Sequence, residues 1–314
     1  MVTVAVAGGT GGIGRTIVEE LVRQGKHEVL ILSRKASKLS GLESVPVLET
    51  NYDDVASMKD LIKKYNIEIV ISALRLFDKA GADSQMNLIR AAIDAGNVKR
   101  FMPSEYGVNY SQPGILDVYP SAKWWLDAAD LLRSSYIDFT RVFLGWYSDY
   151  FAMPHVKSNM KPFNYALDFK NRKAVLPGDG NSAVSFMHST DVAKYIVAML
   201  DEQKKWPELS PLATDSLTWK KAVEMAEKIT GTKWDVTYDT IENLEKGKAT
   251  VLEQSEGSYE FPVEFIQPLI VEFSLMAVRV NMDASKDGLR NDDFPEIHPI
   301  GVEELMQKAW GSKR

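Results

Sequence analysis

The feature that most constrains this chain lies at its start. Residues 2–14 read Val-Thr-Val-Ala-Val-Ala-Gly-Gly-Thr-Gly-Gly-Ile-Gly, an apolar β-branched run ending in Gly8, Gly11 and Gly14. A helical pattern begins at once and runs to Gly25. Strand, tight glycine turn and helix N-terminus together make the geometry that cradles a pyrophosphate. Glycine lets the backbone turn sharply and lets phosphate oxygens approach its N–H groups. The spacing is GxxGxxG, not the strict GxGxxG, so context carries the argument: strand, turn, helix and a second apolar strand all fall within the first 33 residues. Gly8, Thr10, Gly11, Gly12, Ile13 and Gly14 are therefore the expected cofactor contacts of this turn. A glycine turn without a ligand is the plainer alternative. A triphosphate-binding loop fits poorly: Gly9–Thr16 approaches GxxxxGK(S/T), but Arg15 stands in the lysine position, and no convincing magnesium-binding carboxylate ends a later apolar strand.

The second strand, Glu28–Ser33, ends in Ser33-Arg34-Lys35, with Lys38 close behind and no acid before Glu43. An acid at this position would bind the ribose hydroxyls of NAD, whereas a basic residue accommodates a 2′-phosphate. A guanidinium holds phosphate in a fork. The expected cofactor is NADPH rather than NADH, with Ser33, Arg34 and Lys35 at its phosphate. The alternative is a solvated basic turn.

Composition narrows the function classes. The 314 residues carry a formal net charge of −6, which gives no basic field for nucleic acid. No stretch reaches the length of a membrane span. The chain enters a strand directly, with no leader pattern, so a cytoplasmic protein is expected. It has no cysteine, which excludes disulfides and thiolate chemistry, and its four histidines are scattered without ligand spacing, so no metal site is expected.

Candidate strands fall at 2–7, 28–33, 45–48, 67–73, 98–103 and 138–143, and candidate helices at 13–24, 54–65, 83–95 and 121–134. This alternation predicts an α/β fold with a doubly wound parallel sheet. The expected division is a dinucleotide-binding domain over 1–155, to which 184–202 returns, and a smaller α/β substrate domain over 156–314. Ligands bind beyond the carboxyl ends of such strands. Asn51, Ser72, Ala73, Pro103 and Ser104 are then further cofactor contacts, and Glu105, Tyr106, Phe143, Trp146 and Tyr147 are candidate substrate contacts. In the second half, Gly178–Asn181 reads as a turn. The segment 183–200 reads as strand then helix, and 218–230 as a helix capped by Ser216 or Thr218. The apolar segment 260–281 reads as helical, with Phe261, Phe265 and Phe273 as core.

Tyr119-Pro-Ser-Ala-Lys123 has the form YxxxK. Residues four apart share a helix face, and a lysine there would lower the tyrosine pKa and favour proton transfer to a carbonyl oxygen. Lys123, Tyr119 and Ser104 are the catalytic candidates, and Lys123 can also bond the nicotinamide ribose. The plainer readings are a packed loop tyrosine and a solvated helix lysine.

These pieces resemble the NmrA-like and isoflavone-reductase-like branch of the atypical short-chain dehydrogenases/reductases. The likeness rests on Gly8–Gly14, Ser33-Arg34-Lys35, and Gln85 through Lys99-Arg100-Phe101-Met102-Pro103-Ser104-Glu105-Tyr106-Gly107, which is similar to that branch's "KRFxPSEFG". Gly178–Asn181, Ser189–Val192, Ser216–Trp219 and Phe294-Pro295 extend it. The resemblance implies a Rossmann-type domain, NADPH, and a lysine near the nicotinamide at Lys123. It also implies reduction of a small aromatic or conjugated carbonyl metabolite by a monomer or homodimer. Thr50-Asn51, before Tyr52-Asp53-Asp54, departs from the usual Gly-Asp, and Tyr119 is an addition to the branch's pattern. A non-catalytic dinucleotide-sensing regulator with a protein partner is the alternative. An epimerase is weakened by the NADP signal at Arg34.

Overall fold

Burial on both faces marks the interior of a parallel sheet, and β1 (Thr3–Ala7) is buried at all five positions. The computed structural model describes residues 1–259 and 262–311; Phe261 lies outside them. β2 (Glu28–Ser33), β3 (Val47–Glu49), β4 (Ile69–Ser72), β5 (Arg100–Met102) and β6 (Asp138–Phe139) join β1 in the order β3-β2-β1-β4-β5-β6. All five pairings are parallel. This is the doubly wound, Rossmann-type order, and it reverses between β1 and β4. Ala7 pairs with both Leu32 and Ser72. The residues that follow, Gly8, Ser33 and Ala73, therefore leave the sheet together at its carboxyl edge.

Alternation sets the two faces. Ala5, Ala7, Leu30, Leu32, Val70 and Phe101 pack in one cluster with Met58 and Ile62, with Leu88 and Ala92, and with Ala128 and Leu132. These come from α2 (Val55–Lys64), α3 (Lys79–Ala95) and the helix Lys123–Arg133. Val4, Val6 and Ile31 alternate with them and are equally buried. α1 (Gly12–Gln24) ends at Gly25, and α3 at Gly96, both in the left-handed region where a glycine stops a helix cheaply. α3 starts earlier than the periodicity predicts because Asp78 accepts the Gly81 N–H at 2.8 Å. The candidate strand 138–143 breaks at Thr140: Asp138–Phe139 extends the sheet, while Arg141–Phe143 pairs with Leu209–Pro211.

The chain forms two compact units. The first comprises Met1–Tyr106, Lys123–Phe143 and Val192–Ser210; the second comprises Gly107–Ala122, Leu144–Asp191 and the chain from Pro211 on. Residues 107–122 and 144–155, assigned to the first domain from sequence, are thus grouped with the second unit.

The second unit has small sheets and many rings. Ala183–Met187 pairs with Trp146–Tyr147 and Asp215–Thr218, and Lys173–Pro177 pairs with Leu167–Asp168 and Asp235–Asp239. Thr218 caps the helix Trp219–Thr230 through the Lys221 N–H at 3.0 Å, and Val263–Arg279 is helical. Buried Asp149 accepts the Ser189 N–H at 2.7 Å and the Ser189 hydroxyl at 2.6 Å, which satisfies the start of the helix Ser189–Leu200.

Candidate functional site

The glycine turn is shaped by close approach on one side and open space on the other. A Cβ on Gly8, at φ +77°, would stand 2.5 Å from the Ala73 carbonyl oxygen; one on Gly14 would stand 2.4 Å from that of Gly8. Both positions therefore require glycine to bring α1 against the ends of β1 and β4. Gly11 differs: a Cβ there would meet nothing within 4 Å. Gly11 is exposed and begins α1 without a side-chain cap, and no acidic residue occupies the first turn. Thr10, Gly12 and Ile13 are half-buried around it. An anion at this place would meet uncapped N–H groups and the positive end of the helix. Arg15, in the lysine position of a triphosphate loop, turns away to Glu19 at 2.9 Å and to the Ser40 carbonyl at 2.7 Å.

At the end of β2, Ser33 is half-buried and Arg34 and Lys35 are exposed. Among the described residues Arg34 forms no ion pair. The adjoining end of β3 carries Asn51, which is exposed and turns its side-chain oxygen to the Asp53 N–H at 3.1 Å. Tyr52 goes inward, and its hydroxyl donates to the Leu32 carbonyl at 3.0 Å.

The ends of β4 and β5 are tied together. Ser104 donates its hydroxyl to the Leu74 carbonyl at 2.9 Å, and its N–H is accepted by Gln85 at 2.7 Å. Ser72 and Pro103 are buried, and Ala73 is half-buried beside Gly8. Glu105 and Tyr106, expected at the substrate, face the interior instead. The Tyr106 hydroxyl donates to the Ser72 carbonyl at 2.9 Å. Glu105 accepts from Arg141 Nε at 2.6 Å, and both side chains are wholly buried. Burial pushes the Glu105 carboxyl up to about 7 against the opposing pull of Arg141. Phe143 likewise lies in the core. A charged residue in an otherwise apolar strand demands a buried partner, so Arg141 was the available sequence signal for this pair.

Lys123 opens its helix, 67% exposed, in an ion pair with Asp127 one turn on. Trp125, which sequence reasoning passed over, anchors this helix by donating Nε1–H to the Ser104 carbonyl at 2.8 Å. Tyr119 and Lys123 do not share a helix face. The short helix Ile115–Val118 ends at Tyr119, and Pro120–Ala122 forms a tighter turn before the next helix starts. The Tyr119 pKa is raised, not lowered: burial and the Glu272 charge both disfavour its phenolate.

Trp146 is half-buried at the centre of a ring cluster in the second unit, with Tyr165 at 4.9 Å, Phe273 at 5.5 Å and Tyr150 at 5.7 Å between centroids. Tyr147 is buried beside it and meets Tyr150 edge-on. Tyr150 and Phe163 also line a cavity of about 470 Å³, together with Phe169, His155 and Trp310.

A sequence profile of the NmrA-like family matches residues 2–276. The chain belongs to the NmrA-like family. Oxidoreductase swnN of Metarhizium robertsii is 31% identical over 337 residues, covering 100% of this chain and 99% of its own. Oxidoreductase BOA1 of Botryotinia fuckeliana is 37% identical over 235 residues, 74% of this chain and 78% of its own. A solved structure of AtPrR2 with NADP+ and (+)pinoresinol shares the fold at a TM-score of 0.72 and 21% identity, over 98% of each chain. This NmrA-like chain is an oxidoreductase, and an isoflavone reductase homolog of Lupinus albus is 28% identical over 250 residues, 73% of this chain and 75% of its own. No helix among its described residues is long and apolar enough to cross a membrane.

Proposed function

We propose that this NmrA-like oxidoreductase uses NADPH to reduce a small aromatic or conjugated carbonyl metabolite. The observation that carries the reading is an exposed Arg34, with no ion pair among the described residues, at the end of β2, the strand next to the one that feeds the open turn at Gly11. Gly8–Gly14 would hold the pyrophosphate, and Ser33, Arg34 and Lys35 the 2′-phosphate. The open position at Gly11 and the uncapped start of α1 fit such a group. The bound nicotinamide would supply hydride.

Lys123 Nζ would stabilise negative charge forming on the substrate oxygen by exchanging its pairing with Asp127 for it. Tyr119 holds its phenolic proton through the neutral range, which is the state a general acid needs. Ser104 orders the ends of β4 and β5, since its hydroxyl is committed to the Leu74 carbonyl. The Trp146 rings and the neighbouring cavity support a flat apolar substrate. AtPrR2, which holds NADP+ and the aromatic (+)pinoresinol, supports the same class.

The test is titration with NADPH and NADH, with and without Arg34→Ala. The variant is expected to weaken NADPH by about 10- to 100-fold and to leave NADH unchanged, the worth of a charge-assisted phosphate contact. Equal binding of the two cofactors by the unaltered protein would overturn the phosphate assignment. NADPH oxidation is then followed across a panel of aromatic ketones and enones, and failure with all of them would sink the substrate class.

A further inference from the structure

Three elements of the first unit meet at one backbone carbonyl. Leu32 O accepts the Gly8 N–H at 3.1 Å and the Tyr52 hydroxyl at 3.0 Å. Gly8 opens the glycine turn, and Leu32 stands two residues before Arg34. Tyr52 comes from the loop after β3, is 5% exposed, and is itself pinned: Asn87 of α3 donates to its carbonyl at 3.0 Å. The Arg34 charge acts on the phenol, opposing the burial that disfavours its ionisation, so the guanidinium lies within electrostatic reach of the ring.

The tyrosine hydroxyl thus has a place that packing alone does not require. A leucine or phenylalanine would fill the same cluster beside Ala7, Leu32 and Met58. What the hydroxyl adds is a second bond on the carbonyl that also holds the turn.

We propose that Tyr52 is a positioning residue for the adenosine end of the cofactor, fixing through the Leu32 carbonyl the two backbone segments that would take the pyrophosphate and the 2′-phosphate. The inference rests on the NADPH reading above. It assigns no contact between Tyr52 and the cofactor. The residue acts on where Gly8 and Arg34 stand, so its removal should shift cofactor preference as well as affinity.

Tyr52→Phe removes the hydroxyl and keeps the ring. Its Kd for NADPH should rise about fivefold, the worth of one buried hydrogen bond, with NADH affected less. In the cofactor-free protein, amide exchange at Gly8 should become faster while that of the β1 interior stays slow. An unchanged NADPH-to-NADH preference overturns the inference, whatever the melting temperature does, because a purely structural role would lower stability without altering choice. If the unaltered protein binds both cofactors equally, the NADPH reading itself fails. Gly8 exchange then decides the rest: faster exchange in the variant keeps the hold of Tyr52 on the turn, and unchanged exchange removes it.

Discussion

Two regions at the carboxyl ends of the strands are built by different means. The turn from Gly8 to Gly14 is backbone: its shape comes from close approaches that only glycine permits, and the start of α1 at Gly11 is left without a side-chain cap. The region around Ser104 and Lys123 is side chain, and its polar groups are engaged within the protein. The Ser104 hydroxyl goes to Leu74, and Lys123 goes to Asp127. Under the proposed function the first region would receive the cofactor as it stands, whereas Lys123 in the second would have to exchange its partner Asp127, a group no motif includes, before it could act.

The sharpest break of this comparison is Lys123→Ala. Turnover should fall about 10²- to 10⁴-fold, while stability moves by no more than about 0.5 kcal/mol, because the exposed pair with Asp127 contributes little. Steady-state rates beside a denaturant titration check both; an active variant would strip the second region of its assigned role.

Glu105→Ala should cost about 3–5 kcal/mol of stability, because it takes the carboxylate away from the buried Arg141 Nε. The pH dependence has a definite sign. With its folded pKa raised from 4.5 to about 7, Glu105 holds its proton more tightly in the native state than in the unfolded chain. Stability from this group is present at acid pH and is lost as pH rises through that window. Glu105→Gln should flatten the slope, which urea midpoints across the range will show.

A paired substitution separates shape from access in the glycine turn. Gly8→Ala should destabilise the fold by about 2–4 kcal/mol, from an overpacked contact and a strained positive φ. Gly11→Ala, with extended φ and open space, should leave the melting temperature alone and weaken NADPH, since the added methyl occupies the ligand side. Equal loss of stability in both would contradict the contrast. The smallest effect is expected from Trp125→Phe, about 1 kcal/mol from the lost bond to the Ser104 carbonyl, read by thermal melting.

The first region was legible because its signals are local. The run Val4–Ala7, the glycines and the basic pair after Ser33 sit within one β-α-β stretch that points to the fold class, and with the Lys99–Gly107 stretch they point to the family. Periodicity placed all six strands of the main sheet. It could not show that Thr140 ends β6, because the switch of partner to Leu209–Pro211 depends on residues 70 positions away, where Thr140 and Ser210 share a hydrogen bond. The inward turn of Glu105 was hidden for the same reason: its partner Arg141 is 36 residues distant. YxxxK misled because Pro120 interrupts the helix that would have aligned Tyr119 with Lys123.

The discontinuity of the first unit has a consequence for how the protein is made. Arg133 and Arg141 both reach Glu208, and Arg100 donates to the Leu200 carbonyl. Asp201 meets Lys26 and His27. Every one of these acceptors emerges from the ribosome only after the segment 144–191 has been synthesised. A nascent chain of 190 residues therefore carries the whole parallel sheet but lacks the strip that meets Lys26, His27 and Arg100 at the amino ends of β2 and β5. Protease protection of β5 and β6 should appear only when residue 210 has cleared the exit tunnel.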